Sequence, residues 1–205
     1  MLKTTLSKCG CLVVVFALSQ GLKTSTYIGA PKYDIQKEGS EIRFQVKSRL
    51  KIIEGVFETW KAEIDLDPTH LEGLHLGVQA QSASIKTGNL LEETLIRSEN
   101  FFAAEKYPEV SVVSKKVSVE GTGRFRMDAD LKLRDTSHPV VIPFVLELGA
   151  GHEGKLRGEF EFNRKDFGMT YNMTLNPIED VVKVIVTLKV REQGTEPKSP
   201  PPANN

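Results

Sequence analysis

The stretch Gly158–Met169 reads GEFEFNRKDFGM and combines a strand-like alternation with a charged residue on its apolar side. Phe160 and Phe162 alternate with two glutamates, and successive side chains of a strand point to opposite faces, so one face is apolar and the other is solvated. Arg164 follows on the aromatic side, where an unpaired buried charge is costly. The stretch therefore predicts a half-buried strand that ends in a turn at about Asp166.

Apolar residues occupy every second position in run after run between residues 42 and 190. One apolar and one wet face on successive strands is typical of an antiparallel sheet that packs on one side only. Such a sheet either packs against a second sheet or closes on itself, and turn-type clusters at hairpin spacing, such as Gly121-Thr-Gly123, favour closure. The predicted fold class is therefore all-β.

One segment is predicted to be helical. Asn89 followed by Glu92 resembles a capping box that opens a short helix through about Arg97. The next segment, Ser98–Pro108, contains two adjacent phenylalanines, whose rings cannot both point inward from a strand. We interpret this segment as a lid or plug over one end of a barrel.

The composition fits one globular domain with loose ends, since 40% of the 205 residues are apolar and 26% are charged. The 27 basic and 27 acidic residues are interleaved along the chain. This arrangement gives no basic stripe of the kind that nucleic-acid-binding proteins carry. Nucleic acid is therefore not an expected partner.

The N-terminus has the order of a secretory signal peptide, which we place at residues 1–21. Two lysines precede the apolar run Cys9–Leu18, and small residues follow it. The run is short for a membrane span, so we expect cleavage near Gln20 or Leu22 and no stable membrane insertion afterwards, with an uncleaved anchor as the alternative. Both cysteines of the chain lie in this segment, so the mature protein is expected to have no disulfide. Residues 191–205 are expected to form a disordered, proline-rich tail.

Five short motifs occur in an order that resembles the YceI-like family of bacterial secreted proteins. They are Gly55-x-Phe57, Ile85-Lys-Thr-Gly-Asn89, Ser98-x-Asn-Phe-Phe102 with Tyr107-Pro108, Leu131-x-Leu133 with Pro139-Val140, and Arg164-x-Asp-Phe-Gly-Met169. The resemblance covers the chain from about Tyr33 to Val190, which gives a domain at residues 32–190. It implies an eight-stranded antiparallel, lipocalin-like barrel in the periplasm or outside the cell. The resemblance also implies that the barrel interior holds a long-chain lipid, typically a polyisoprenoid or a fatty-acid derivative.

The aromatic and apolar side chains on the predicted inner face are the candidates for lining such an interior. Together with Arg164, the candidate ligand-binding residues are Phe44, Val46, Phe57, Trp60, Phe101, Phe102, Phe125, Met127, Phe144, Phe160, Phe162 and Phe167. The alternative is that these side chains form a plain core, because a barrel of this size has room for side chains alone or for one small ligand.

Arg164 has three interpretations from the sequence. It caps the closed end of the barrel over Trp60, it pairs with a carboxylate such as Asp166, or it contacts a phosphate or carboxylate of the ligand. The residue pattern does not distinguish these roles, because a guanidinium suits all three geometries.

The titratable residues do not converge on a catalytic arrangement. The four histidines, His70, His75, His138 and His152, have no metal-ligand spacing, and the predicted mature chain has no cysteine. We therefore expect no catalytic residues, no metal and no cofactor, and we predict a protein that binds, transports or stores a long-chain lipid. The alternatives are a plugged barrel that meets a protein partner, or an enzyme acting on a lipidic substrate. A homodimer is compatible with the sequence.

Overall fold

Strands account for most of the residues that the structure describes. In the computed structural model these are residues 32–149, 153–172 and 174–194. The predicted signal peptide at residues 1–21 lies outside the described residues, as does the predicted tail beyond residue 194. The strands are β1 (Tyr33–Ser48), β2 (Ile52–Phe57), β3 (Trp60–Asp65), β4 (His75–Gln81), β5 (Ile85–Lys86), β6 (Glu109–Gly121), β7 (Arg124–Leu133), β8 (Thr136–Leu148), β9 (Glu153–Asn163) and β10 (Ile178–Glu192). Helix α1 (Leu90–Arg97) and short 3₁₀ turns at Leu71–Gly73, Ser82–Ser84 and Arg164–Phe167 join them.

All of these strands belong to one curled antiparallel sheet. Its order is β3-β4-β6-β7-β8-β9-β10-β1-β2-β5. β3 stands at one end of this order and β2 near the other, yet only Glu58 and Thr59 separate them in the chain. The two ends of the sheet are therefore halves of the same bent hairpin, which curls the sheet into a barrel-like wall.

The strand count differs from the expected eight, because the described residues form ten strands. Residues Glu58 and Thr59 interrupt one long strand between β2 and β3, and the 3₁₀ turn Ser82–Ser84 interrupts its partner between β4 and β5. The two chains stay hydrogen-bonded across the break, since the Gln81 amide donates to the Thr59 carbonyl at 2.9 Å and the Glu58 amide donates to the Ser84 carbonyl at 3.2 Å. Each interruption adds one strand, and the predicted all-β, lipocalin-like class is confirmed.

The register defines two ends of the barrel. We call the end that lies next to α1 the helix end. There Ser48 pairs with Ile178, so the β1–β2 turn lies beside the start of β10. Helix α1 contacts the same turn through the ion pair between Glu92 and Lys51. We call the opposite end, where β1 begins and β10 ends, the terminal end. There Tyr33 pairs with Glu192, and the tight β6–β7 turn lies at the same end. Strand β10 thus runs two residues past the predicted domain end at Val190.

The stretch Gly158–Met169 forms the predicted strand and turn. In β9 Phe160 is buried and the glutamates on either side are exposed. A 3₁₀ turn then covers Arg164–Phe167, and Gly168 ends it with φ = 74°, a conformation that glycine adopts without strain. The chain leaves the wall at this turn and returns as β10.

Helix α1 begins where the sequence predicts. The Asn89 side chain accepts hydrogen bonds from the backbone amides of Leu91 at 3.0 Å and Glu92 at 3.3 Å, which satisfies two free amides of the first turn. The other half of the predicted capping box is absent from this helix start, because the Glu92 carboxylate pairs with Lys51 Nζ at 2.6 Å instead. The helix is thereby tied to the β1–β2 turn.

The interior is packed at one end and open at the other. Along β10, Leu188 and Val190 at the terminal end are 0% exposed. Val184 and Val186 point to the same side of the strand but are only half-buried, although neither lies at the edge of the sheet. The wall next to these two valines therefore encloses free space.

Candidate functional site

The space inside the barrel is a cavity of about 380 Å³. Its lining comes from the barrel wall, from α1 and from the segments that follow α1 and β9. Nearly all lining side chains are aliphatic or aromatic, and the polar exceptions are Asn89, Glu92, Ser111, Arg164 and Asn176. A cavity with these properties suits an apolar ligand.

Most of the side chains predicted to line the interior reach the cavity. They are Phe44, Val46, Phe57, Phe101, Phe102, Met127, Phe144, Phe160, Phe162 and Arg164. The structure places Trp60, Phe125 and Phe167 outside the lining.

Phe125 and Phe167 lie behind the lining and support it. The Phe125 ring stacks on the Phe144 ring with the centroids 5.1 Å apart, on the side away from the cavity. Phe167 belongs to the 3₁₀ turn after β9, and its ring meets the edge of the Phe162 ring at 5.3 Å. Both side chains are almost fully buried, so they are core residues that hold two of the lining rings in place.

Aliphatic residues contribute more of the cavity than the aromatic prediction included. Val184 and Val186 line it from β10, and Leu95 and Ile96 close it from α1. The alternation in β10 and the apolar spacing in α1 were available signals for these residues. The prediction favoured aromatic side chains and so missed them.

The Gly55-x-Phe57 motif has a packing explanation. A side-chain carbon on Gly55 would overlap the Phe44 ring, which crosses the β1–β2 pair at this point. The Phe44 ring in turn contacts the Phe57 ring edge-on with a centroid distance of 6.2 Å. Glycine at this position therefore lets two lining rings lie together against the wall.

Adjacent Phe101 and Phe102 both face the cavity, which fits the interpretation of Ser98–Pro108 as a lid. The Phe102 and Phe57 rings contact each other with their centroids 6.2 Å apart. The Phe101 and Tyr171 rings do the same with their centroids 5.9 Å apart. Neither residue belongs to a strand. The lid thus bridges the barrel wall and the segment that follows β9.

Arg164 is 2% exposed, and its guanidinium makes five hydrogen bonds to the protein. Nε donates to the Glu179 carbonyl at 3.1 Å, and Nη2 donates to the Asp180 carboxylate at 3.0 Å. The remaining bonds go to backbone carbonyls, namely those of Met169, Tyr171 (2.8 Å) and Ile178 (3.3 Å). Five bonds match the five N–H groups of arginine.

These contacts change the interpretation of Arg164. Trp60 is not its partner. The cation over the Trp60 ring is Lys37, whose Nζ lies 3.6 Å from the ring centroid. The carboxylate that pairs with it is Asp180 and not the suggested Asp166. With its donors bound to protein oxygens, Arg164 fastens the segment after β9 to the start of β10 and forms part of the cavity wall.

A second buried charge fastens α1 to the wall. The Glu93 carboxylate accepts from Lys86 Nζ at 3.2 Å, from Arg97 Nη2 at 3.0 Å, and from the amides of Thr87 at 3.2 Å and Gly88 at 3.3 Å. Burial raises the pKa of this carboxyl, but the hydrogen bond from Thr87 and the pairing with Lys86 outweigh it, so the pKa lies below its ordinary value. We call these five residues the Glu93 clasp.

Replacing Glu93 with glutamine is expected to destabilise the protein and to speed hydrogen exchange in α1 near neutral pH. A folded-state pKa below the unfolded one stabilises the protein above the ordinary value of 4.5, and this contribution is lost as pH falls through the lowered pKa. The difference in unfolding free energy between wild type and Glu93→Gln should therefore be constant at higher pH and shrink below that value. Urea unfolding across pH measures it, and a difference that grows on acidification would contradict the assignment.

The described residues contain no group of three or more His, Cys, Asp or Glu side chains placed to hold a metal ion. Among these residues there is also no helix with the length and apolar character required to cross a membrane.

A curled antiparallel sheet that encloses an apolar cavity defines a lipocalin-like fold, and comparison with known families places the chain more closely. Residues 33–190 match the model of the YceI-like domain, so the chain belongs to the YceI-like family. A UPF0312 protein of Pseudomonas fluorescens is 29% identical over 203 residues, which cover 92% of this chain and 98% of that protein.

Solved structures show the same fold at low sequence identity. Burkholderia cenocepacia BcnA superposes with a TM-score of 0.72 at 18% identity, covering 76% of this chain and 99% of BcnA. A polyisoprenoid binding domain from Saccharophagus degradans, described as implicated in plant cell wall breakdown, superposes with a TM-score of 0.63 at 12% identity over 79% of this chain and 99% of that domain.

Proposed function

We propose that this protein binds a long-chain lipid, a polyisoprenoid or a fatty-acid derivative, inside the barrel. The observation that carries the proposal is the half-burial of Val184 and Val186 on the inner face of β10, beside a cavity of about 380 Å³. Both valines pack against the core only in part and border the cavity, which favours an apolar occupant, since filling that space removes them from water. The open interior does not fit the alternative of a fully plugged barrel.

The positions of the polar groups favour a ligand that is held mainly by its chain. Asn89 caps the start of α1, Glu92 lies in its first turn, and Asn176 lies in the loop before β10. All three are at the helix end, so a head group would meet them there. The guanidinium of Arg164 is fully bonded to protein oxygens and has no donor left for an anionic head group. Each buried methylene contributes about 0.8 kcal/mol, so chain length should dominate the affinity.

The proposal extends to a secreted, non-catalytic carrier in the periplasm or outside the cell. The predicted signal peptide at residues 1–21 supports the location. The apolar lining supports carriage without chemistry, because no nucleophile with a neighbouring base faces the cavity among its lining residues.

The proposal is tested by titrating the protein with lipids of increasing chain length and measuring each affinity by native mass spectrometry. Affinity should rise with each added methylene until the cavity is full and then level off, and an alcohol should bind about as well as the carboxylate of equal length. Binding that ignores chain length, or that requires the carboxylate, would contradict it.

A further inference from the structure

The helix end carries exposed leucines on three separate segments. Leu50 in the β1–β2 turn is 76% exposed, Leu90 and Leu91 at the start of α1 are 77% and 83% exposed, and Leu175 in the loop before β10 is 85% exposed. We call these four residues the leucine rim. Four exposed leucines at one end of a barrel mark a candidate interaction surface.

The segments of the leucine rim are fastened to one another. The Leu50 amide donates to Asn176 Oδ1 at 3.2 Å, which joins the β1–β2 turn to the loop that carries Leu175. Lys51 Nζ pairs with the Glu92 carboxylate at 2.6 Å, which joins the same turn to α1. The rim residues are therefore held beside one another.

The cavity reaches the leucine rim at Leu91, which lines it and is exposed. The cavity is also lined by Glu92 and Asn176, which make the contacts that join the rim segments. A ligand that enters at the helix end therefore passes the exposed leucines.

The charged residues of the β1–β2 turn, which carries Leu50, are basic, and one of them, Lys51, is paired with Glu92 of α1. The turn sequence from Lys47 to Ile52 is KSRLKI, in which exposed Lys47, Arg49 and Lys51 are interleaved with exposed Leu50 and Ile52. Lys47 and Arg49 have no ion-pair partner within the described part of the chain. Protein surfaces that lie on anionic lipid typically have basic side chains next to apolar side chains that enter the bilayer.

We propose that the leucine rim docks on an anionic lipid bilayer, so that a lipid passes between membrane and cavity without crossing water. This inference rests on the proposed function. The aliphatic character of the rim favours a bilayer over a protein partner, because protein interfaces are enriched in aromatic residues and leucine is rare among their dominant contacts. The contact is peripheral and is compatible with the expected absence of stable membrane insertion.

Co-sedimentation of the ligand-free protein with phosphatidylethanolamine–phosphatidylglycerol vesicles tests the docking. The variant Leu50→Ser/Leu90→Ser/Leu175→Ser should lose vesicle binding by roughly tenfold or more, because three apolar side chains leave the bilayer. Val119→Ser/Val141→Ser/Val145→Ser removes three exposed valines of the barrel wall and should bind like wild type. Lys47→Gln/Arg49→Gln should weaken binding and reduce its salt dependence.

Lipid uptake separates this inference from the proposed function. The three substituted leucines do not line the cavity, so uptake of a polyprenol delivered from cyclodextrin should be unchanged at equilibrium, while transfer from vesicles should slow. Equal vesicle binding by wild type and the leucine variant would overturn the docking. A wild-type dimer that the leucine substitutions dissociate would also overturn it, since a second copy would then cover the rim. Failure of uptake from cyclodextrin would instead refute the proposed function.

Discussion

Replacing Arg164 with glutamine is expected to lower the free energy of unfolding by about 3–5 kcal/mol, because removing one partner of a buried charged network leaves the others without donors. Arg164 is 2% exposed and donates to four backbone carbonyls and to Asp180. For a domain of this size the loss corresponds to a fall in melting temperature of about 6–20 °C. Thermal and urea unfolding of the ligand-free protein measure it.

Asp180→Asn is the matched control for Arg164. The Asp180 side chain is 37% exposed and also pairs with Lys165 at 2.7 Å, so its replacement should cost clearly less. Lipids with charged and neutral head groups should lose affinity alike in Arg164→Gln, because the cavity wall loosens and no head-group contact is removed. A variant with wild-type stability that selectively fails to bind a phosphorylated or carboxylated lipid would show that Arg164 contacts the ligand.

Replacing Val184 with tryptophan is expected to reduce lipid affinity by roughly 60–200-fold. The side chain lies half-buried against free space, so a larger ring should occupy volume that would otherwise hold three or four methylenes, each contributing about 0.8 kcal/mol. The ligand-free protein should keep its stability or gain some, because the new ring fills a cavity. Titration with one long-chain lipid, together with a melting curve, checks both parts.

Leu188→Trp provides the comparison on the same face of the same strand. Leu188 is 0% exposed and lies outside the cavity lining, so the added ring should overpack the core and cost about 1–3 kcal/mol or more. If Val184→Trp destabilises the protein as much as Leu188→Trp, the barrel interior is filled and the account of the cavity is wrong.

The alternation of side chains predicted which residues face the barrel interior, but not which of these residues reach the cavity. The two-residue period placed Phe125 and Phe144 on the inner face, and both are buried there. Only Phe144 reaches the cavity, and Phe125, its direct partner across β7 and β8, stacks against it outside the lining. A single sequence does not show which of two stacked inner rings faces the free space.

The role of Arg164 was predictable only in part. Arg164 continues the alternation of Phe160 and Phe162, which predicted that its side chain points inward. The cost of burying a charge predicted that it has partners. Most of those partners are backbone carbonyls between Met169 and Glu179, and carbonyls occur at every residue whatever its side chain. The local order Asn89 to Arg97, by contrast, predicted α1 well because capping depends on neighbours in the chain.

The leucine rim was not predicted because its members are isolated in sequence. Leu50, Leu90 and Leu175 lie in three turns or helix starts that come together only when Ser48 pairs with Ile178 and Lys51 with Glu92. Exposed single leucines in a sequence are ordinary and attract no interpretation.

If the barrel carries a lipid in its cavity, as proposed, the protein should retain that lipid on purification. Protein isolated from its natural source without detergent should yield, in an organic extract analysed by mass spectrometry, one class of long-chain lipid at about one molecule per barrel. The Val184→Trp protein prepared in the same way should yield much less. An extract without lipid, from wild-type protein that also takes up none when offered, would contradict the account.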